Sequence, residues 1–222
     1  MIAYDLLEHG GVDLRASSLQ ARRDLLEEVV RALPAGCTLH LSPIIASPSW
    51  EAVHAARADS RIIRAEGLML KRRASAYGVG RRVGDWWKWK VTPLTIDAVL
   101  VYAQAGHGRR AGLYSDYTFA VWDDDALVPF AKAYSGLTDV EIRAVDRYVR
   151  QNTLEKFGPV RTVTPGLVFE LAFEGIQESS RHKSGIAVRF PRISRWRTDK
   201  LPADADSLET IRAMLRAVRG AA

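Results

Sequence analysis

Two lysines one residue apart, Lys88 and Lys90, stand in the run WWKWKV, downstream of a carboxylate, Glu66, that opens the run EGLMLK. If both runs are extended, side chains alternate between faces, so Lys88 and Lys90 share one face while Trp87, Trp89 and Val91 take the other. The same parity puts Glu66, Leu68 and Leu70 on one face of the first run. Two ammonium groups roughly 7 Å apart on one face can neutralise a phosphate. A carboxylate beside them offers an oxygen to a hard cation, so the set points to metal-assisted phosphate chemistry. On the residues alone, an edge strand carrying solvated lysines fits as well.

A second set lies near the end of the chain, where residues 189–200 read RFPRISRWRTDK. Pro191 is expected to break the strand before it and leave an irregular basic arm. Arginine forks bind phosphate oxygens bidentately, so such an arm suits a nucleotide's phosphates or a nucleic-acid backbone. A solvated loop in which Asp199 pairs with Arg197 and Lys200 is the alternative. The charge distribution favours neither but locates the basic character. Residues 64–90 hold eight basic residues against two acidic, an excess equal to the +6 of the whole chain. Residues 181–200 hold seven against one, which leaves the remainder acidic, 17 basic against 23. A pI near 9.6 therefore comes from two patches.

The elements that must carry these residues follow from periodicity. In 222 residues with 47% hydrophobic content there is room for one large domain or two small ones. Ile2–Leu7 reads as a strand, followed by a turn at His9, Gly10 and Gly11. Leu19–Leu33 is an amphipathic helix, Thr38–Leu41 a short strand and Trp50–Arg57 a short helix. Glu66–Lys71 and Trp86–Val91 form two strands around a polar loop. Thr95–Tyr102 is rich in β-branched and aromatic residues and is expected to pair beside Trp86–Val91. The glycine-rich, basic run QAGHGRRA at 104–111 is the expected domain boundary and hinge, dividing the chain into 1–103 and 104–222. Beyond it, strands are expected at Tyr114–Trp122, Ala126–Ala133, Val163–Phe173 and Gly185–Phe190. One helix runs from the capping box of Thr138 and Glu141 to about Phe157, and another starts near Asp206. Short strands with one interposed helix suit a small Greek-key barrel of the OB type, so the fold class is α+β.

Other classes are excluded. The single cysteine, Cys37, rules out an internal disulfide and a cysteine-based zinc site. The five histidines, His9, His40, His54, His107 and His182, lack metal-ligand spacing. No apolar run reaches the ~20 residues that cross a bilayer, and Asp5 and Glu8 near the start are unlike a signal peptide. A cytoplasmic protein is expected.

Four runs in this order, YDLLE at Tyr4–Glu8, EGLMLK at Glu66–Lys71, the Lys88-Trp89-Lys90 pair and RFPRISRWRTDK at 189–200, resemble the ATP-dependent DNA ligases of the covalent nucleotidyltransferase superfamily. AKAYSGLTDVEIRAV at 131–145 and FEGIQESSRHKSGIAVRFPRI at 173–193 are similar to the bacterial branch. The resemblance implies part of an antiparallel nucleotidyltransferase (adenylation) domain followed by an OB-fold β-barrel. It implies ATP and Mg²⁺ as cofactors and nicked double-stranded DNA as the partner of a monomeric enzyme. By position, Tyr4 falls where an aromatic ring stacks on adenine, and Glu66 where a carboxylate binds the metal. Lys88 and Lys90 fall where a lysine pair faces the α-phosphate. Arg197 and Lys200, with Asp199 between them, match the arm that orients the leaving pyrophosphate. Arg189, Arg192 and Arg195 of the same arm are the expected DNA contacts. Trp89 and the continuation Val91-Thr92-Pro93 depart from the commoner leucine and lysine-aspartate-tyrosine pattern.

The family attacks ATP with the lysine of a Lys-x-Asp-Gly motif, and that motif does not occur in this sequence. The resemblance thus implies the C-terminal portion of a ligase, unable by itself to form a covalent adenylate. It also implies a half-sheet whose apolar face is left exposed. A noncatalytic OB-fold DNA-binding module is the alternative from another class, and an RNA ligase or capping enzyme fits the arm less well.

Overall fold

The first strand, β1 (Ile2–Ala3), ends sooner than its residues predict, and Asp5 is the reason. The Asp5 carboxylate accepts from the Leu6 amide at 2.9 Å and from Nε and Nη2 of Arg22 at 2.8 and 3.0 Å, which draws the chain out of the extended line. Both side chains of this pair are buried, 0% and 3% exposed. Nη1 of Arg22 also donates to the carbonyls of Ser17 and Ser75, so one guanidinium joins three segments. The computed structural model describes residues 1–63, 65–108 and 111–220.

Residues Met1–Val91 make one compact unit. A hairpin of β2 (Glu8–His9) and β3 (Val12–Asp13) turns on Gly10 and Gly11 at φ +58° and +79°, the left-handed pair that a two-residue turn requires. Helix α1 (Leu19–Arg31), capped by Ser18, is followed by β4 (His40–Leu41), which pairs in parallel with β1. Helix α2 (Trp50–Ala58), capped by Ser49, precedes the antiparallel hairpin β5 (Gly67–Lys71) and β6 (Trp86–Lys90). Among the described residues of this unit only Leu26 and Val91 are buried apolar side chains, while Ile2, Ile44, Ile45, Trp50 and Ile63 are each more than half exposed.

The second unit begins at Thr92 and moves the expected boundary. Its strands and helices are β7 (Leu94–Ala105), β8 (Tyr114–Asp123), β9 (Ala126–Ala133), α3 (Asp139–Gln151), β10 (Thr153–Phe157), β11 (Val160–Val163), β12 (Val168–Phe173), β13 (Gly175–Glu178), β14 (Ile186–Arg189), β15 (Arg192–Trp196) and α4 (Leu208–Gly220). Strand β7 does not pair with β6. It is the spine of a curled, antiparallel seven-stranded sheet, bonded to β8 on one side and to β11 and β12 on the other. Every residue from Ile96 to Val101 is buried, as expected of a strand covered on both faces, whereas no residue of β6 is buried. The run placed at the hinge therefore starts inside a strand, with Gln104 and Ala105 in β7, and Arg109 and Arg110 lie outside the described residues.

Three further expectations are corrected. Helix α3 keeps its Thr138–Glu141 capping box but ends at Gln151, because Thr153–Phe157 finds a β partner in β11. The expected strand Val163–Phe173 is two strands, broken where the Tyr148 hydroxyl donates to the Thr164 carbonyl and occupies the space a side chain at Gly166 would need. Beyond Pro191 the arm is irregular only over residues 197–200. Phe190 at φ +52° turns the chain, and after Pro191 it re-enters the sheet as β15, paired with β12, because Ile193 and Trp196 have a core to reach. That core is built from β7, β8, β9, β12 and the inner faces of α3 and α4, with Leu100, Phe119, Phe169, Val145 and Ile211 at or below 1% exposed.

Removing one member of a buried ion pair strands the other charge, so Arg22→Ala should cost the first unit about 3–5 kcal/mol. The exposed pair Arg15–Asp13 is the control, and Arg15→Ala should leave stability nearly unchanged. Urea unfolding followed by tryptophan emission measures both, and equal small losses would show that the buried pair organises nothing.

Candidate functional site

In the β5–β6 hairpin, Lys90 lies opposite Gly67 and Lys88 opposite Met69. Strict alternation would put Glu66 on the face away from Lys90. Gly67 interrupts it, at φ +136°, in a conformation that side chains rarely adopt, and a Cβ there would collide with the Trp89 carbonyl oxygen. Released from the pleat, the Glu66 carboxylate meets the Lys90 ammonium at 2.9 Å, and its backbone carbonyl accepts from the Val91 amide at 3.0 Å. The carboxylate and the lysine pair are thus brought onto one side by a glycine.

The opposite side of β6 is anchored by aromatic packing. Trp89 receives the edges of Trp50 and His54 at 6.1 and 6.0 Å and the Arg57 guanidinium at 5.2 Å, and Arg57 Nε donates to the Lys90 carbonyl at 2.9 Å. This fixes the backbone from which Lys88 and Lys90 project. Lys88 is exposed.

Tyr4, one residue beyond β1, joins the same face through Lys71. The Lys71 ammonium lies 4.5 Å from the Tyr4 ring and 4.1 Å from the Trp86 ring, a cation between two aromatic faces. Burial pushes its pKa below the ordinary lysine value, partly opposed by the charge of Asp5. The Trp86 indole donates to Ser75, which also ties this strand to the segment that Arg22 holds. A groove of about 920 Å³ opens here, lined by Tyr4, Ile44, Ile45, Trp50, Met69 and Trp87 among others. Tyr4 and Met69 are about half exposed, at 52% and 47%. Met69, opposite Lys88, and Lys71 belong to the lysine face, whereas Trp87, Leu70 and Trp50 belong to the Trp89 side, so the groove reaches both sides of the hairpin, and a flat apolar ring fits its lining. Met69 was not singled out by the sequence, although its parity with Lys71 was the available signal.

No cluster of three metal-ligating side chains occurs among the described residues. Glu66 supplies one carboxylate, which suits a cation that draws its remaining oxygens from phosphate and water.

The second unit carries the other set. Nη1 of Arg197 and Nζ of Lys200 converge on Oδ2 of Asp97, at 2.6 and 2.7 Å. The Nε and Nη2 edge of Arg197 is bidentate to Asp199, at 2.9 and 2.7 Å. The hydrogen bonds from Arg197 hold the Asp199 carboxyl well below the usual carboxylate range, and those to Asp199, with the charge of Asp97, hold the guanidinium protonated above its ordinary value. Lys200 therefore pairs with Asp97, and Asp199 with Arg197. Arg195 on β15 reaches Glu170 at 3.2 Å and remains exposed, and Arg192 reaches the buried Glu174 at 2.9 Å. Arg189 lies over the exposed ring of Phe190 at 5.1 Å. Asp97, Glu170 and Glu174 had no local signal, since each meets its arginine only once the distant segments are brought together by folding.

The family model for the ATP dependent DNA ligase domain matches residues 1–90, and that for the ATP dependent DNA ligase C terminal region matches residues 110–200. The chain is 42% identical to a probable DNA ligase of Opitutus terrae across 96% of its own length and 24% of that protein's. It is 36% identical to a DNA ligase of Natronomonas pharaonis across 95% of its length and 37% of that protein's. The chain thus spans well under half the length of these curated relatives. Among solved structures, a Lig E DNA ligase studied for DNA binding with a minimal scaffold shares the fold, with a TM-score of 0.61 at 22% identity over 88% of this chain and 62% of that one. With both units matched in order by models of one family, the chain belongs to the ATP-dependent DNA ligases.

Proposed function

We propose that this chain supplies the phosphate-handling half of a ligase that seals nicks in duplex DNA through enzyme-adenylate and DNA-adenylate intermediates. The observation that carries the reading is the single face on which Gly67 assembles Glu66 with Lys90 beside Lys88, a face whose Met69 also lines the groove. Adenine lies in the groove against Tyr4 and Met69. Lys88 and Lys90 offset the charge that accumulates on the α-phosphate as its bond to the leaving group lengthens. Glu66 and Lys90 are both partly solvated, so their pairing costs little to exchange for a phosphate and a cation. Glu66, with phosphate oxygens and water, would hold Mg²⁺, which bound there adds positive charge at the phosphates.

The amine that attacks the α-phosphorus belongs to a lysine outside this sequence, in the additional length that the relatives possess. The exposed apolar residues of the first unit support a reading in which further adenylation-domain chain packs there. In the second unit, Arg197 and Lys200 engage the pyrophosphate that leaves. Arg189, Arg192 and Arg195 follow the DNA backbone. Arginines that contact phosphates bind by releasing counterions, so their contribution is read in the salt dependence.

The double variant Arg189→Glu, Arg195→Glu should weaken binding of the chain to a nicked duplex and lower the slope of log K against log salt by roughly 2, one unit per lost phosphate contact. Fluorescence anisotropy at several salt concentrations reads both quantities. An unchanged slope would remove these residues from the DNA interface.

A further inference from the structure

Arg197 and Lys200 repel each other, so the two cations must be held together before a phosphate arrives. We infer that Asp97 is a positioning residue for that pair, an inference that rests on the proposed role of the arm.

Asp97 is built as an anchor. It lies within the buried run of β7, the central strand, and its side chain is 8% exposed. Its backbone is locked from both sides, with its amide donating to Asp206 Oδ2 at 2.7 Å and its carbonyl accepting from the Asp206 amide at 2.9 Å. One carboxylate oxygen takes both cations. The other, Oδ1, is buried with no hydrogen-bond partner among the described residues. A buried carboxylate in that state depends on the two cations for its charge balance, so neither can leave without stranding it. The cations depend on it in turn, because without an anion between them they repel and splay.

The consequence is directional. Asp97 occupies the Nη1 position of Arg197, and the remaining Nε and Nη2 edge is turned to Asp199, whose side chain is 64% exposed. The edge that presents two parallel donors is therefore the one at the surface, and it is the edge that fits a phosphate bidentately. A fixed inner contact and an exchangeable outer one make a preorganised clamp, in which the cost of ordering the guanidinium is met during folding rather than on binding.

The test is calorimetric titration of the 222-residue chain with inorganic pyrophosphate, together with NMR relaxation of the Arg197 Nε–H group. Asp97→Asn should raise the mobility of that group and weaken pyrophosphate by about tenfold, the value of one well-aligned charged contact. Asp97→Glu keeps the charge but displaces the carboxylate, and should weaken pyrophosphate less, at unchanged melting temperature. It carries the test if the asparagine variant does not fold. Arg197→Lys keeps the charge but loses the fork, and reports the role of the arm itself. If Arg197→Lys leaves pyrophosphate affinity unchanged, or the parent chain binds none, the arm's role fails and the inference with it. If Arg197→Lys weakens binding while both Asp97 variants bind as tightly as the parent or tighter, the arm stands and Asp97 is overturned as its positioning residue.

Discussion

A buried charge can be kept only where its partners are held as firmly as it is, and the first unit is arranged around one such case, the Arg22–Asp5 pair. The pair adds little to stability beyond what apolar residues of similar volume would supply. What it adds is geometry. Asp5 stops β1 and leaves Tyr4 at the edge of the groove, while the same guanidinium reaches the carbonyls of Ser17 and Ser75. Ser75 receives Trp86 of β6, and Trp86 with Tyr4 encloses the Lys71 ammonium. A unit with few buried apolar side chains thus positions its site by directional contacts. This matters because its exposed isoleucines and tryptophans provide no core to do so.

The second constraint is steric. Glu66 and the lysine pair lie on strands whose pleat would separate them, and the left-handed conformation at Gly67 removes that separation. The carboxylate and ammonium then partner each other at the surface, where desolvation is incomplete and an incoming phosphate or cation can replace either. The second unit uses the opposite design, with the inner contact of Arg197 and Lys200 buried against Asp97 and only Asp199 open to exchange. Exchangeable pairs face the proposed substrates, and buried pairs hold the exchangeable ones in place.

Much of this was legible in the residues, and the parts that were not share a cause. The hairpin, the lysine parity, the amphipathic helices and the capping box follow from local periodicity, which the tertiary structure preserves. Thr95–Tyr102 reads as a strand from its own residues, but of its partners only β8 follows directly, while β11 and β12 lie far along the chain, and no local signal selects them over the adjacent Trp86–Lys90. The boundary was misplaced for the same reason. A glycine-rich run marks a turn, and the unit changes instead at Val91, where a partly exposed hairpin gives way to a strand with every residue from Ile96 to Val101 buried. Residues 192–196 read as a loop after Pro191 because the surface that buries Ile193 and Trp196 is assembled elsewhere. In the site, the cations were visible as clusters and Tyr4, Glu66, Lys88 and Lys90 by resemblance. Asp97 was invisible, being one acidic residue in an apolar run.

The central claim is that the face formed by Tyr4, Met69, Lys88 and Lys90 receives an adenine nucleotide, and titration of the chain with AMP followed by side-chain NMR tests it most directly. The account predicts that AMP shifts the Tyr4 ring and Met69 methyl signals together, and that Tyr4→Ala abolishes the Met69 shift without unfolding the unit. A titration in which AMP moves signals only in the second unit, or moves Met69 equally with and without the Tyr4 ring, would contradict it.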